Sequence, residues 1–202
     1  MNTDAHSDRI RDEKDLVEQL RQGRKQAFDI LVARFQKPLL KVAYGITLDA
    51  EESREIVQDV FTTVFRQIHA FRQDAMLYTW LRKITVNHCL NWKRKWKRRF
   101  RWHHDPITTE NENTLSGKDI PMDTPETLIQ KKQFRDRLME AVRDLPEKTR
   151  VVFVLYALEG LSYEEIADFL NIRKGTVSSR LYHARKQVAR ILDPKKSQET
   201  PV

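Results

Sequence analysis

Residues 161–191, LSYEEIADFLNIRKGTVSSRLYHARKQVARI, hold two helix signals separated by a gap of turn length. Ser162 can accept a hydrogen bond from the Glu165 amide while Glu165 reaches back to the Ser162 amide, a capping box that starts one short helix. Ile166, Ala167 and Leu170 supply an apolar stripe at three- and four-residue spacing, and Asn171, which tolerates the left-handed conformation, ends that helix near Leu170. After Ile172, Gly175-Thr176 offers a turn and an N-cap. Val177, Leu181, Ala184, Val188 and Ile191 then repeat on one face of a second helix, opposite Lys174, Ser178, Arg180, His183, Arg185 and Lys186. The spacing predicts a helix-turn-helix. Cations and small hydrogen-bonding groups on one face suit a DNA major groove, where phosphates need charge and base edges need donors and acceptors. An ordinary amphipathic surface helix is the bland alternative; the double cap, the turn and the cationic face together favour nucleic acid.

The composition agrees with a polyanionic partner. The chain has 202 residues, with 37 Lys and Arg against 29 Asp and Glu, for a formal charge of +8. Its length suits one or two small domains, 40% hydrophobic residues are enough for real cores, and only 5 Gly and 7 Pro argue against a loop-rich all-β protein. A single cysteine, Cys89, excludes an internal disulfide or a cysteine zinc cluster, fits a reducing compartment, and reads as a packed small hydrophobe rather than a nucleophile. The opening MNTDAHSDRIRDEKD lacks the apolar core of a secretory signal, and no apolar run approaches the roughly 18 residues that cross a bilayer. The expectation is a soluble, cytoplasmic protein.

Upstream, Asp15-x-x-Glu18 predicts a cap for a short helix carrying Leu16, Val17 and Leu20, with Gly23 placed to end it. Phe28, Leu31, Phe35, Leu39, Val42 and Ile46 form a longer helical pattern, which Pro38 should bend or break near Gln36. Asp49-x-x-Glu52 caps a third helix with a broad apolar face from Ile56 to Ile68. Residues 72–76 have no clean period and read as a loop. From Tyr78 a fourth helix runs through Trp80, Leu81, Ile84, Asn87, Leu90 and Asn91 into Trp92-Lys-Arg-Lys-Trp-Lys-Arg-Arg-Phe-Arg-Trp102, where cations alternate with aromatics. Lys and Arg there can displace counterions from phosphates, and exposed rings can stack on bases at about 1–3 kcal/mol each. A solvated basic face whose tryptophans pack against the bundle is the competing reading.

Between Asp105 and Gln130 the character changes. The stretch is acidic, carries Pro106, Pro121 and Pro125, and has no helical period before Thr124, so it reads as a linker. A solvated spacer is the default reading of its acidity, and a strand threading a basic channel is the alternative. Thr124-Pro125 starts a helix with Leu128, Phe134, Leu138 and Val142; Leu145-Pro146 breaks it; Val151, Val152, Leu155 and Tyr156 define another that Gly160 ends. The helix-turn-helix follows, and the tail from Pro194 is polar and expected to be disordered. The fold class expected is all-α: two small helical domains joined by a flexible acidic linker, the second with the helix-turn-helix.

Little points to catalysis. The sequence has no phosphate-binding glycine loop, no His-Glu-x-x-His helix and no serine elbow. His103-His104, His88 and Cys89 match no closed zinc spacing. Glu51, Glu52, Glu164 and Glu165 are first-turn acids, explained by the helix dipole. No enzyme, metal or cofactor is expected.

With these features in place, the chain from about Leu16 to Leu192 resembles the extracytoplasmic-function (ECF, group IV) sigma factors of bacterial RNA polymerase, in the sigma-70 family. The segments that carry the resemblance are Ala50-Glu-Glu52 through Ile56-Val-Gln-Asp-Val-Phe61, Tyr78-Thr-Trp-Leu-Arg-Lys-Ile-Thr-Val-Asn87, Leu145-Pro146 through Glu159-Gly-Leu-Ser-Tyr-Glu-Glu-Ile-Ala167, and Gly175-Thr-Val-Ser-Ser-Arg180. Their order and spacing together are specific. The resemblance implies a region 2 domain over residues 10–96, a linker over 97–124, a region 4 domain over 125–192 and a disordered tail over 193–202. It implies that Ile56, Gln58, Asp59, Val60, Phe61 and Phe65 meet the clamp helices of the largest polymerase subunit, with the second-largest subunit's flap as a further contact. Arg72, Gln73, Asp74, Tyr78, Trp80, Asn87 and Asn91 would read and open the minus-10 element, and Lys93, Arg94, Lys97 and Arg98 would hold phosphates. An extruded base needs apolar or aromatic walls and amides for its edge, and binding only the open strand stabilises melting without ATP.

At the minus-35 element Ser178, Ser179 and His183 would face bases, while Lys174, Thr176, Arg180, Arg185 and Lys186 serve mainly the backbone. Many relatives carry an arginine on this helix where the present chain has Ser178 and His183, so the minus-35 sequence does not carry over. The partners implied are core RNA polymerase, promoter DNA as duplex and as opened non-template strand, and an anti-sigma factor. The linker would run through the polymerase active-site cleft. A stand-alone helix-turn-helix repressor or activator is the competing class; it usually dimerises on paired half-sites, yet no spare apolar helix for a dimer interface is evident.

Overall fold

The computed structural model describes residues 3–99 and 125–192; the side chains of 3–11, 93–99, 125–129, 131, 132 and 135 fall outside that description. The chain divides into two compact units, Met1–Thr108 and Thr109–Val202. Every regular element among the described residues is helical.

The first unit has α1 (Thr3–Arg21), α2 (Lys25–Thr47), α3 (Ala50–Gln67), a 3₁₀ turn (Ile68–Ala70) and α4 (Leu77–Arg99). α2, α3 and α4 pack on one another, and α1 lies against α2 and the 3₁₀ turn. Gly23 ends α1 at φ +70°, the left-handed step that lets its own amide reach Leu20 O (3.0 Å) and the Arg24 amide reach Gln19 O (3.1 Å). Leu31, Leu39, Val42 and Ile46 of α2 are fully buried, each burial contributing on the order of 2 kcal/mol. At the next junction Thr47 Oγ1 donates to Ala43 O (3.0 Å) and lies 2.9 Å from Ser53 Oγ. Asp49 caps α3 by accepting the Glu52 amide at 3.0 Å, as its position predicts.

Two sequence expectations for this unit are corrected. α1 does not start at Asp15: no Gly or Pro interrupts Thr3–Arg21, so the helix continues upstream and Asp15 is an exposed mid-helix residue. Pro38 does not break α2. It removes the amide that would donate to Arg34 O, a cost of about 3 kcal/mol, but the buried residues on both sides of it hold the helix as one piece. The fourth helix runs to Arg99, into the 92–102 stretch as its pattern predicts, because the cation-rich sequence contains no helix breaker. The loop at 72–76 is as expected, with Gln73 at φ +59°.

The second unit has α5 (Pro125–Arg143), α6 (Glu147–Ala157), α7 (Tyr163–Leu170) and α8 (Lys174–Leu192). α8 is its hub, packed against α5, α6 and α7. Val177, Leu181, Ala184 and Val188 are its buried stripe, as the spacing predicts. Leu145-Pro146 separates α5 from α6, and Gly160 at φ +65° ends α6 with its amide on Tyr156 O (3.2 Å). Arg150, a residue to which the sequence drew no attention, is buried and ties the end of α5 down. Its Nε donates to Val142 O (3.0 Å) and its Nη2 to Arg143 O (2.7 Å) and Leu145 O (2.9 Å). These carbonyls lie at the helix C-terminus, where a cation is favoured; burial still lowers the Arg150 pKa from its ordinary value. The Thr124 cap, most of the acidic stretch and the tail lie outside the described residues.

Candidate nucleic-acid interface

The helix-turn-helix is built almost wholly from short-range bonds. Ser162 Oγ accepts the Glu165 amide (3.2 Å) and Glu165 Oε2 accepts the Ser162 amide (2.8 Å), the reciprocal box expected. Asn171 ends α7 in the left-handed conformation at φ 51°, ψ 54°, and the Ile172 amide folds back to Ala167 O (2.9 Å). The turn differs from expectation in one respect. Gly175 and Thr176 do not precede α8 but form its first turn, with the Thr176 amide on Arg173 O at 2.8 Å. A Cβ at Gly175 would meet nothing within 4 Å, so the first turn of α8 does not require glycine there.

Ser178, Ser179, His183 and Lys186 are exposed on α8, and Thr176 and Arg180 are half-buried. Two of the expected cations are engaged within the unit. Lys174 pairs with Glu164 across the turn, an exposed contact whose hydrogen bond lowers the Glu164 pKa. Arg185 lies over the Tyr156 ring at 4.7 Å, and Tyr156 meets Tyr163 edge-on at 5.8 Å, so Arg185 joins α8 to α6. Sequence reasoning passed over Tyr182, which is 63% exposed and edge-on to His183 at 5.5 Å. Its signal was present: Tyr182 follows Ser178 by four residues and lies off the buried stripe.

In the first unit, the loop exposes Arg72 and Asp74 and leaves Gln73 half-buried. Tyr78 and Trp80 are half-buried, each backed by another ring: Tyr78 stacks on Phe35 at 6.0 Å and Trp80 on Phe71 at 5.0 Å. The Arg82 guanidinium lies 5.7 Å over Tyr78. Asn87 and Asn91 are exposed one turn apart, and exposed Lys83, which the sequence reading did not single out, extends their row by one more turn. The side chains of Lys93, Arg94, Lys97 and Arg98, and those of Trp96 and Trp102, lie outside the described residues. Trp92 is within them and gives a hydrogen bond to Glu52. That contact supports packing for this tryptophan.

The third group of candidates divides by burial. Gln58, Asp59 and Phe65 of α3 are exposed, Phe65 to 63%. Ile56, Val60 and Phe61 are not surface contacts: they are buried in the helical core, with Phe61 edge-on to Phe28 at 6.3 Å. Phe65 instead sits on an open groove of about 320 Å³ lined with Leu20, Gly23, Arg24, Lys25, Phe28 and Thr62. One side chain of α3 is electrostatically unusual: burial, with Asp49 and Glu55 nearby, pushes the Glu52 carboxyl up to about 7. His88 lies 3.5 Å from Thr63 Oγ1, and Cys89 is buried. His103 and His104 fall outside the described residues, and no helix among the described residues is long and apolar enough to cross a membrane.

Comparison with known proteins assigns both units. Residues 31–99 match the family described as sigma-70 region 2, and residues 135–188 match sigma-70 region 4. The chain is 32% identical over 186 residues to the RNA polymerase sigma-H factor of Pseudomonas aeruginosa, covering 90% of this chain and 94% of that protein. It is 34% identical over 182 residues to the ECF RNA polymerase sigma-E factor of Haemophilus influenzae, covering 89% and 94% respectively. In fold it is similar to CnrH, solved in complex with the cytosolic domain of CnrY, with a TM-score of 0.58 at 22% identity over 91% of this chain and 98% of that one. It is likewise similar to the sigma factor RpoE solved with the anti-sigma factor NepR from Bartonella quintana, with a TM-score of 0.61 at 20% identity over 83% and 98%.

Proposed function

The chain belongs to the ECF sigma factors of the sigma-70 family, and from that premise we propose how its residues divide the work of binding polymerase, finding a promoter and opening it. It is an RNA polymerase sigma factor: it binds core RNA polymerase, directs it to minus-35 and minus-10 elements and stabilises promoter opening, with no catalysis of its own. The division of labour below is our reading.

The observation that carries it is that one chain holds two surfaces suited to different forms of DNA. The α8 face of Ser178, Ser179, Tyr182 and His183, flanked by Lys186, offers small polar groups and an aromatic edge to a duplex major groove. Lys174, Thr176, Arg180 and Arg185 serve the backbone, Lys174 by leaving Glu164 and Arg185 also by holding α8 in place. The 72–76 loop with Tyr78, Trp80, Asn87 and Asn91 offers ring faces and amides to unstacked bases. Lys93, Arg94, Lys97 and Arg98 hold phosphates of the same strand. Polymerase docks through Gln58, Asp59 and Phe65, whose exposure supports the reading, while Ile56, Val60 and Phe61 keep that face in shape from below. The clamp helices of the largest subunit take this face and the flap of the second-largest subunit takes the second unit. The Bartonella relative was solved with an anti-sigma factor, and a partner of that class is the regulator we assign here. The cytoplasm is the compartment such work requires.

The test is transcription by core polymerase, with and without this protein, from promoters enriched by the holoenzyme from a randomised pool. Initiation only in the protein's presence is expected. Tight duplex binding by the protein alone with no core-dependent initiation would replace this reading with a stand-alone helix-turn-helix regulator.

A further inference from the structure

α1 reaches both ends of the loop assigned above to the opened strand. Arg21 Nη2 donates to Phe71 O at 2.5 Å, at the last residue before the loop. Glu13 accepts the Leu77 amide, at the first residue after it. These pairs join residues 50 and 64 positions apart in sequence. The bonds close two specific gaps. Met76, the residue before α4, carries no side-chain oxygen: its carbonyl accepts the Thr79 (2.9 Å) and Trp80 (3.3 Å) amides, but nothing on that residue can take the amide of Leu77. Leu77 is fully buried, so water is a poor substitute, and the Glu13 carboxylate stands where the helix dipole favours negative charge. At the other end Phe71 is buried and stacked on Trp80, which fixes the direction from which the chain enters the loop. Between the two anchors Gln73 holds a left-handed conformation, costly for a residue with a side chain, that persists only where its surroundings impose it.

We propose that Glu13 and Arg21 are positioning residues for promoter opening: they hold the two ends of the 72–76 loop and thereby set which minus-10 sequence the loop accepts, without touching DNA. The inference rests on the reading of that loop as the minus-10 reader. Three properties support it beyond a general stabilising role. Both bonds end on loop-flanking backbone atoms rather than on α1's own core contacts, which are made by Leu16, Val17 and Leu20. Both use a charged side chain against a backbone group, the stronger class of hydrogen bond. The Arg21 guanidinium is further restrained, with one Nη 3.8 Å from Glu18.

The experiment uses the full chain with core polymerase and a promoter enriched by the wild-type holoenzyme. Permanganate reactivity of unpaired thymines measures opening on this promoter and on single-base minus-10 variants. The readout is the ratio of the two, which a loss of folded protein does not move. Glu13→Gln and Arg21→Met are expected to lower the ratio at least about fivefold, the worth of one lost base contact, with core binding and minus-35 preference kept. Arg21→Lys, which restores one charged donor, should recover part of it. Two loop substitutions, Gln73→Ala and Asp74→Ala, separate the failures. If they lower the ratio and the α1 variants do not, the positioning role is overturned while the loop reading stands. If the loop substitutions also leave the ratio unchanged, the loop does not read the minus-10 element and both fall.

Discussion

Two helix starts in this molecule share a pattern and end in opposite electrostatic states. Asp49-Ala-Glu-Glu52 opens α3 and Ser162-Tyr-Glu-Glu165 opens α7. Each first residue caps its helix by accepting the amide three residues on. In α7 the last glutamate returns the bond to Ser162, and Glu164 is exposed beside Lys174 with its pKa lowered. In α3 the last glutamate does not close the box. Its carboxylate turns inward, with one oxygen buried and unpaired, and is raised to about 7. The lesson is that a local signal fixes where a helix begins, while the neighbours brought from far along the chain decide what its side chains do. The region 4 unit is dominated by the first kind of determinant and the region 2 unit by the second.

The largest effect expected is from Arg150→Ala. Its three bonds span five to eight residues, so this is short-range stabilisation of the region 4 unit, and its loss leaves Val142, Arg143 and Leu145 carbonyls without that donor. A destabilisation of about 3 kcal/mol is expected from the loss of charged hydrogen bonds to buried acceptors. The 4 tryptophans stand at positions 80, 92, 96 and 102, none of them within the region 4 unit. Urea unfolding followed by circular dichroism should therefore shift, while the tryptophan fluorescence transition should not. A shift in both would break the separation of the two units. Next in size, Asp59→Arg reverses an exposed charge on the proposed docking face and should weaken core binding at least about tenfold in pull-down, with the protein's melting unchanged because Asp59 is exposed.

The same contrast explains what could be read from the sequence. The helix-turn-helix was legible nearly to the residue because Ser162, Glu165 and Asn171 act on atoms within a few positions of themselves. Its one error, the start of α8, arose because Gly175 signals a turn equally well inside a first helical turn. The candidate docking face was legible as a helix but not as a surface: Phe61 and Phe65 are four residues apart, chemically identical and both edge-on to Phe28, yet only Phe65 is exposed. Period alone cannot rank positions along a broad apolar face. Pro38 did not end α2 because packing outweighed a propensity. Glu13 and Arg21 carry no sequence signal, as their partners lie 64 and 50 residues away.

Smaller effects sharpen the comparison at the caps. Ser162→Ala and Asp49→Ala each remove an N-cap acceptor and should cost about 1 kcal/mol. The first should appear only in circular dichroism and the second in tryptophan fluorescence as well. Equal responses of both probes to Ser162→Ala would argue against independent unfolding of the units.

The most selective effect expected is one that depends on pH. Burial raises the Glu52 carboxyl from the ordinary 4.5 to about 7, with repulsion from Asp49 and Glu55 adding to the shift and the Trp92 hydrogen bond opposing it. Between those two values the folded protein keeps a proton that the unfolded chain has released. Protonation therefore favours the folded state in that window, and stability falls as pH rises from about 4.5 to about 7 and then levels off. Glu52→Gln keeps the shape and an acceptor for Trp92 but cannot ionise. Its melting temperature should equal the wild-type value near pH 4.5, rise above it through pH 6, and hold a constant lead beyond pH 7.5, seen in tryptophan fluorescence. Glu164→Gln should show no such lead, since its partner is an exposed lysine and its pKa lies on the other side of the ordinary value. A lead for Glu52→Gln that is the same at pH 5 and pH 8 would mean that Glu52 is ionised throughout, and the two helix starts would then differ in geometry alone.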